Sequence, residues 1–158
     1  VAKVIKEILR LSDSQSTLVI ENSAGSGGTI GKSFREVGDV LRRVNSPRIK
    51  VCIDTQHAWA SGYNWAEQEG YEAAMAELGS AIGFDQVVVI HANDSKTPCG
   101  SHRDRHENIG QGTIGSAVFR QLLHDQRLSN RPFILEVPGR EGSGPDEANL
   151  RLLKELRA

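Results

Sequence analysis

The sequence predicts an α/β fold in which helices lie against a parallel sheet. Three observations predict it. Four short apolar runs rich in β-branched residues, at 17–21, 49–54, 86–91 and 132–136, have the length of buried parallel strands. The chain between them carries helical periodicity. Each run also ends on a residue able to bind metal or move a proton, namely Glu21, Asp54, His91 and Glu136. These ends recur at roughly 33 to 45 residues, the length of a strand, a helix and two loops.

Taken in order, Val1 to Leu11 reads as a helix, with Val4, Ile5, Ile8, Leu9 and Leu11 on its apolar side. The strand at 17–21 follows. Lys32 to Val44 places Phe34, Val37, Val40, Leu41 and Val44 at helical spacing and leads to the strand at 49–54. Trp65 to Ile82 is rich in Ala and Glu, with Ala73, Ala74, Ala76, Leu78 and Ala81 as its apolar set. The strand at 86–91 precedes a helix from Ser116 to Leu123. The strand at 132–136 precedes a helix from Asp146 to Leu156, started by Pro145-Asp146. No linker or low-complexity segment interrupts this order, so residues 1–158 are expected to form one domain. The pattern α(βα)4 points to a parallel α/β architecture.

Composition bounds the function. The 158 residues are 38% hydrophobic and 25% charged, a globular balance. The net charge of −1 excludes a global basic field for gripping nucleic acid, though not a local basic face. No apolar run approaches the ~20 residues of a membrane span, and no signal peptide is visible. Two cysteines are too few for a disulfide scaffold and suit a reducing compartment, so a cytoplasmic or nucleoid-associated location is expected. The first residue is Val1, and the opening reads like the middle of a longer chain.

Ligands in α/β folds gather at the carboxyl ends of the strands. Four strands delivering Glu21, Asp54, His91 and Glu136 to one rim make a metal site, because imidazole and carboxylate suit zinc or manganese. Side-chain alternation puts Cys52, Val19, Val89 and Ile134 on the same face as these four, with Val51 and Ile53 toward the helices. Cys52 reads as a small core residue and Cys99 as a free thiol without a role. The Gly-rich stretch Gly25–Gly31 departs from a phosphate-binding P-loop in its spacing and reads as a flexible rim loop.

The loops after the strands are more specific. They are Glu21-Asn-Ser-Ala-Gly-Ser-Gly, Cys52-Ile-Asp-Thr-Gln-His-Ala-Trp-Ala-Ser-Gly-Tyr63, His91-Ala-Asn-Asp-Ser-Lys96, Gly100-Ser-His-Arg-Asp-Arg-His106 and Gly110-Gln-Gly-Thr-Ile-Gly115. From about Leu18 to Glu136 these resemble, in order, the signature stretches of the endonuclease IV family of apurinic/apyrimidinic DNA-repair endonucleases. The resemblance implies a TIM (β/α)8 barrel, of which this chain supplies about the last four βα units, since a whole barrel needs about 250 residues. It implies a centre of up to three zinc ions, with manganese as the alternative. Glu21, Asp54, His91 and Glu136 would serve the paired-metal part, Glu21 bridging to its neighbour. His57, Asp104 and His106 would hold the third ion. The implied reaction is hydrolysis of the phosphodiester 5′ to an abasic site in double-stranded DNA, leaving a 3′-hydroxyl and a 5′-deoxyribose phosphate. Glu136 and Glu21 would be its catalytic carboxylates.

The family also draws two histidines and its DNA-inserting loops from earlier strands, and this chain offers none. His124 reads as a surface helix residue, and His102 as a phosphate contact or bystander. Lys96, Arg103 and Arg105 form the one positive patch beside the expected third-ion residues and are the candidates for DNA-phosphate contact. A half barrel would expose two strand edges, so self-association is expected, as is little activity of this piece alone. Two alternatives stand beside this reading. One is a single-metal sugar isomerase or epimerase on the related barrel, which has no use for His57, Asp104 and His106 together. The other is an inactive half barrel.

Overall fold

A computed structural model describes residues 1–158. Four parallel strands, β1 (Leu18–Glu21), β2 (Ile49–Asp54), β3 (Val87–His91) and β6 (Phe133–Ile134), form one sheet in sequential order. Six helices accompany them: α1 (Ala2–Leu11), α2 (Phe34–Val44), α3 (Thr55–Ser61), α4 (Gln68–Ala81), α5 (Ser116–His124) and α6 (Glu147–Arg157). Two short strands, β4 (Asp94–Ser95) and β5 (His106–Glu107), pair antiparallel as a separate ribbon above β3 in the chain path. Sequential parallel order with intervening helices is the arrangement of consecutive units in a TIM barrel, here as an open four-stranded segment.

Local chemistry sets the helix ends. Ser33 caps α2 by accepting the Glu36 N–H at 3.2 Å, and the Glu36 carboxylate reaches back to the N–H groups of Gly31 and Lys32 at 2.9 and 3.1 Å. This reciprocal box starts α2 at Phe34, two residues inside the expected start. Asp146 caps α6 in the same way through the Asn149 N–H at 2.9 Å. The helix expected from Trp65 begins only at Gln68. Trp65 and Ala66 form a turn instead, because Trp65 turns inward, 1% exposed, and donates its indole N–H to the Thr55 carbonyl at 3.1 Å.

The last strand departs most from the sequence expectation. β6 spans only Phe133–Ile134, not 132–136, so Glu136 lies two residues beyond it. Pro132 has no N–H to give. Past Ile134 the ladder is continued by a side chain: Asn93 accepts the Glu136 N–H at 2.8 Å. Helix α3 is also new. Its seven residues are too few to show a period, and it runs from the Asp54 cap to Gly62, whose φ of 110° ends it.

The apolar core lies between the sheet and the helices. Val51, Ile53, Val87 and Ile90 pack on Phe34, Val37, Tyr71, Met75, Leu78, Phe119 and Leu122. Phe34 stacks on Tyr63 at 4.1 Å, and Trp65 meets Tyr71 edge-on at 6.0 Å. The opposite sheet face is open: Val19 is 39% and Ile134 47% exposed. β1 and β6 each pair on one side only.

Candidate metal centre

The carboxyl ends of the strands bring all seven predicted metal residues to one rim. Glu21 ends β1 and stands in register with Cys52. Asp54 ends β2, in register with His91 at the end of β3. Asp54 is fully buried and divides its oxygens: Oδ1 accepts the His57 N–H at 2.8 Å as the cap of α3, while Oδ2 accepts from the Asn93 amide at 2.6 Å. Capping therefore swings His57 back over the strand ends rather than away from them. His106 arrives from β5, whose pairing with β4 sets it opposite Ser95, and Asp104 lies in the preceding loop.

Two groups result. In the first, the His91 Nδ1 stands 3.3 Å from Glu21 Oε1, 3.0 Å from Glu136 Oε2 and 3.9 Å from Asp54 Oδ2. One donor atom from each of Glu21, Asp54, His91 and Glu136 falls within 4.8 Å of the others. In the second, Asp104 sits between two imidazoles, its oxygens 3.3 Å from the Nε2 atoms of both His57 and His106. Asp54 Oδ2 lies 3.8 Å from His106 Nε2, so Asp54 joins the two groups.

The imidazoles are oriented as metal ligands are. A carbonyl only accepts, so the Nδ1 of His106, 3.1 Å from the Glu136 carbonyl, carries its hydrogen there. The Nδ1 of His57 does the same toward the Asn22 carbonyl at 2.9 Å. Both Nε2 atoms then face carboxylates. That of His106 is buried without a hydrogen-bond partner. In a neutral ring it directs a lone pair at Asp54 and Asp104, an arrangement that a divalent cation seated between them satisfies. The residues present thus fit a divalent ion in both groups.

Protons substitute for the cations in the free chain. Burial disfavours the charged form of Glu21, yet hydrogen bonds from His57 and His91 outweigh it and hold the carboxyl at about 2. Burial also works against His57, but Glu21, Asp54 and Asp104 raise it to about 9. His91 is raised to about 11 by its hydrogen bonds with Cys52 and Glu21. Burial pushes Asp54 upward against the pull of His57 and His106. A rim that concentrates four carboxylates needs positive charge to stay together.

Sequence reasoning missed the residues that hold this rim in place. Asn22 clamps both the N–H and the carbonyl of Asp54, at 2.8 and 3.2 Å. Asn93 joins Asp54 to Glu136. Buried Gln56 donates to the Arg103 carbonyl at 2.9 Å and so anchors the loop carrying Asp104. Asp94 collects the N–H groups of Ser95, Gly110, Gly112 and Ile114 at 2.7–3.1 Å, and a Cβ on Gly112 would stand 2.4 Å from it, so only glycine fits. Their one sequence signal is position: polar residues just past a strand end, where a buried backbone needs partners.

The remaining predicted residues lie at the margin. Lys96, Arg103 and Arg105 are exposed and make no ion pair, with the Lys96 N–H bonded to the Arg105 carbonyl at 2.9 Å. His102 lines a groove with Lys32, Arg35 and Tyr63. His124 is exposed and bonds to its own helix at the Arg120 carbonyl. Cys52 is buried as expected, but it is not simply core: its Sγ lies within 4.8 Å of donor atoms of Glu21 and His91.

Comparison with known proteins matches this arrangement. The xylose isomerase-like TIM barrel family matches residues 1–157. The probable endonuclease 4 of Aquifex aeolicus is 39% identical over 141 residues, 89% of this chain and 49% of that protein. The apurinic-apyrimidinic endonuclease of Caenorhabditis elegans is 46% identical over 131 residues, 82% of this chain and 33% of that protein. The crystal structure of endonuclease IV from Thermus thermophilus superposes with a TM-score of 0.83 at 36% identity, covering 99% of this chain and 57% of that one. The chain thus spans about half the length of most relatives it matches. Its parallel strand order, its rim of histidines and carboxylates and these likenesses together place the chain in the endonuclease IV branch of the xylose isomerase-like TIM barrel family.

Proposed function

We propose that this chain forms the carboxyl-end rim of a zinc-dependent endonuclease that cuts double-stranded DNA 5′ to an abasic site, leaving a 3′-hydroxyl and a 5′-deoxyribose phosphate. The observation that carries this reading is the buried, unpartnered His106 Nε2 facing two carboxylates beside a second four-residue donor group. A one-metal isomerase would leave His57, Asp104 and His106 without purpose. Zinc bound here would neutralise phosphoryl charge and bring the pKa of water toward ~7.

In this reading Glu21, Asp54, His91 and Glu136 would hold the paired ions, and His57, Asp104 and His106 would hold the third. Manganese is the alternative ion. Glu136 has its side chain 47% exposed at the mouth, and orients the attacking water. Asn93 fixes the Glu136 backbone, so the carboxylate swings from a rigid base. Exposed Lys96, Arg103 and Arg105 hold DNA phosphates by charge, which positions the duplex without reading its sequence.

The roles separate by mutation in a polypeptide carrying the whole barrel. His106→Ala is expected to remove one zinc and leave the fold, because the short β4–β5 ribbon that carries it lies outside the main sheet. Glu136→Gln is expected to lower the incision rate about 100-fold or more with little change in DNA affinity, as for a group acting on the nucleophile. Equal losses of rate and affinity on an abasic-site oligonucleotide would contradict the assignment of Glu136.

The 158-residue chain by itself is expected to self-associate through its open edges at β1 and β6 and its bare face at Val19 and Ile134. It is also expected to cut abasic DNA poorly. Sedimentation velocity showing a stable monomer would contradict the first expectation, and whole-enzyme incision rates the second.

A further inference from the structure

A third donor set lies beneath the rim. Cys52 stands in register with Glu21 on β1 and two residues below Asp54 on β2. Its side chain shares the face of Glu21 and His91. The Sγ of Cys52, a carboxylate oxygen of Glu21 and a ring nitrogen of His91 all fall within 4.8 Å of one another. Ligands held at about 2.0–2.3 Å stand roughly 3.5 Å apart in a tetrahedron, so these three close on one ion with a shift of about an ångström. Cys52 is 2% exposed and its strand lies between β1 and β3, so its thiol is enclosed beside Glu21 and His91.

We propose that Cys52, His91 and Glu21 form an inhibitory site for soft, thiophilic divalent cations, of which cadmium is the probe. Thiolate prefers soft ions, whereas the rim above offers only oxygen and nitrogen donors. On binding, the Cys52 thiol gives its proton to solvent and the sulfur bonds the ion, with no change of oxidation state. The site borrows Glu21 and His91, so for its inhibitory consequence it rests on the zinc reading above: a soft ion drawn down by Cys52 takes two ligands from the paired-metal group and displaces its occupant. The displacement would make the protein selectively sensitive to such ions without blocking the His57–Asp104–His106 group.

Cys52 and Cys99 are the only thiols, so the source of a cadmium–thiolate charge-transfer band is unambiguous. Cadmium is titrated into the zinc-loaded protein while the ultraviolet band and released zinc are recorded. The band is expected in the native chain and in Cys99→Ser, with zinc released in step, and is expected to vanish in Cys52→Ser. The Cys99→Ser result stands alone should Cys52→Ser misfold, since Cys52 is then the one remaining thiol. Loss of the band in Cys99→Ser, or zinc release without any band, would overturn the proposal. A Cys52-dependent band in a protein that holds no zinc would keep the soft-ion site and remove the zinc centre instead.

Discussion

Asp54→Ala is expected to strip both donor groups of metal at once and to destabilise the free chain by about 2–4 kcal/mol, the range for losing a buried polar group and its partners. Asp54 Oδ2 faces His91 on one side and His106 on the other, so its removal opens both groups. Its Oδ1 caps α3, and its loss frees the helix that carries His57. The Asn93 amide loses its acceptor as well, and with it the brace on Glu136. Zinc content by atomic absorption and urea denaturation measure the two effects. Retention of zinc in Asp54→Ala would show that the groups do not meet at this carboxylate.

Trp65→Ala is expected to cost about 3–5 kcal/mol, as large aromatic deletions in a filled core do. Against a total stability of about 5–15 kcal/mol, this brings the chain to the edge of unfolding. Trp65 is 1% exposed and lies against Phe34, Tyr63 and Tyr71, so its loss leaves a cavity that three rings cannot collapse to fill. It also frees the Thr55 carbonyl, the residue after Asp54. A loss of zinc affinity is therefore expected alongside the loss of stability, while Trp65→Phe, which keeps most of the volume, is expected to retain both more fully. A shift in the urea midpoint corresponding to less than about 1 kcal/mol would contradict this packing account.

The sequence displayed the parallel strands through β-branched runs of the right length, and the rim through what ended them. Glu21, Asp54 and His91 each close a strand, so strand geometry alone aligns them. Glu136 reached the same rim by another route, because β6 stops at Ile134 and the Asn93 side chain completes the ladder. Such a substitution of side chain for backbone leaves no periodic trace. The β4–β5 ribbon and α3 escaped for a related reason: two-residue strands and a seven-residue helix are set by tertiary partners, not by pattern. Gln56 and Asp94 were invisible because their work is to satisfy buried backbone groups whose position only the fold defines. Cys52 was correctly buried by its apolar strand, yet burial says nothing of the Glu21 and His91 donors beside its sulfur.

The most direct test of the metal centre is anomalous scattering at the zinc edge from crystals of the zinc-loaded protein. The account predicts one peak among His57, Asp104 and His106, at about 2.0–2.1 Å from the ring nitrogens, and the peaks of the paired ions among Glu21, Asp54, His91 and Glu136. Zinc-loaded crystals with no peak in either group, or with zinc held only by residues away from this rim, would contradict it.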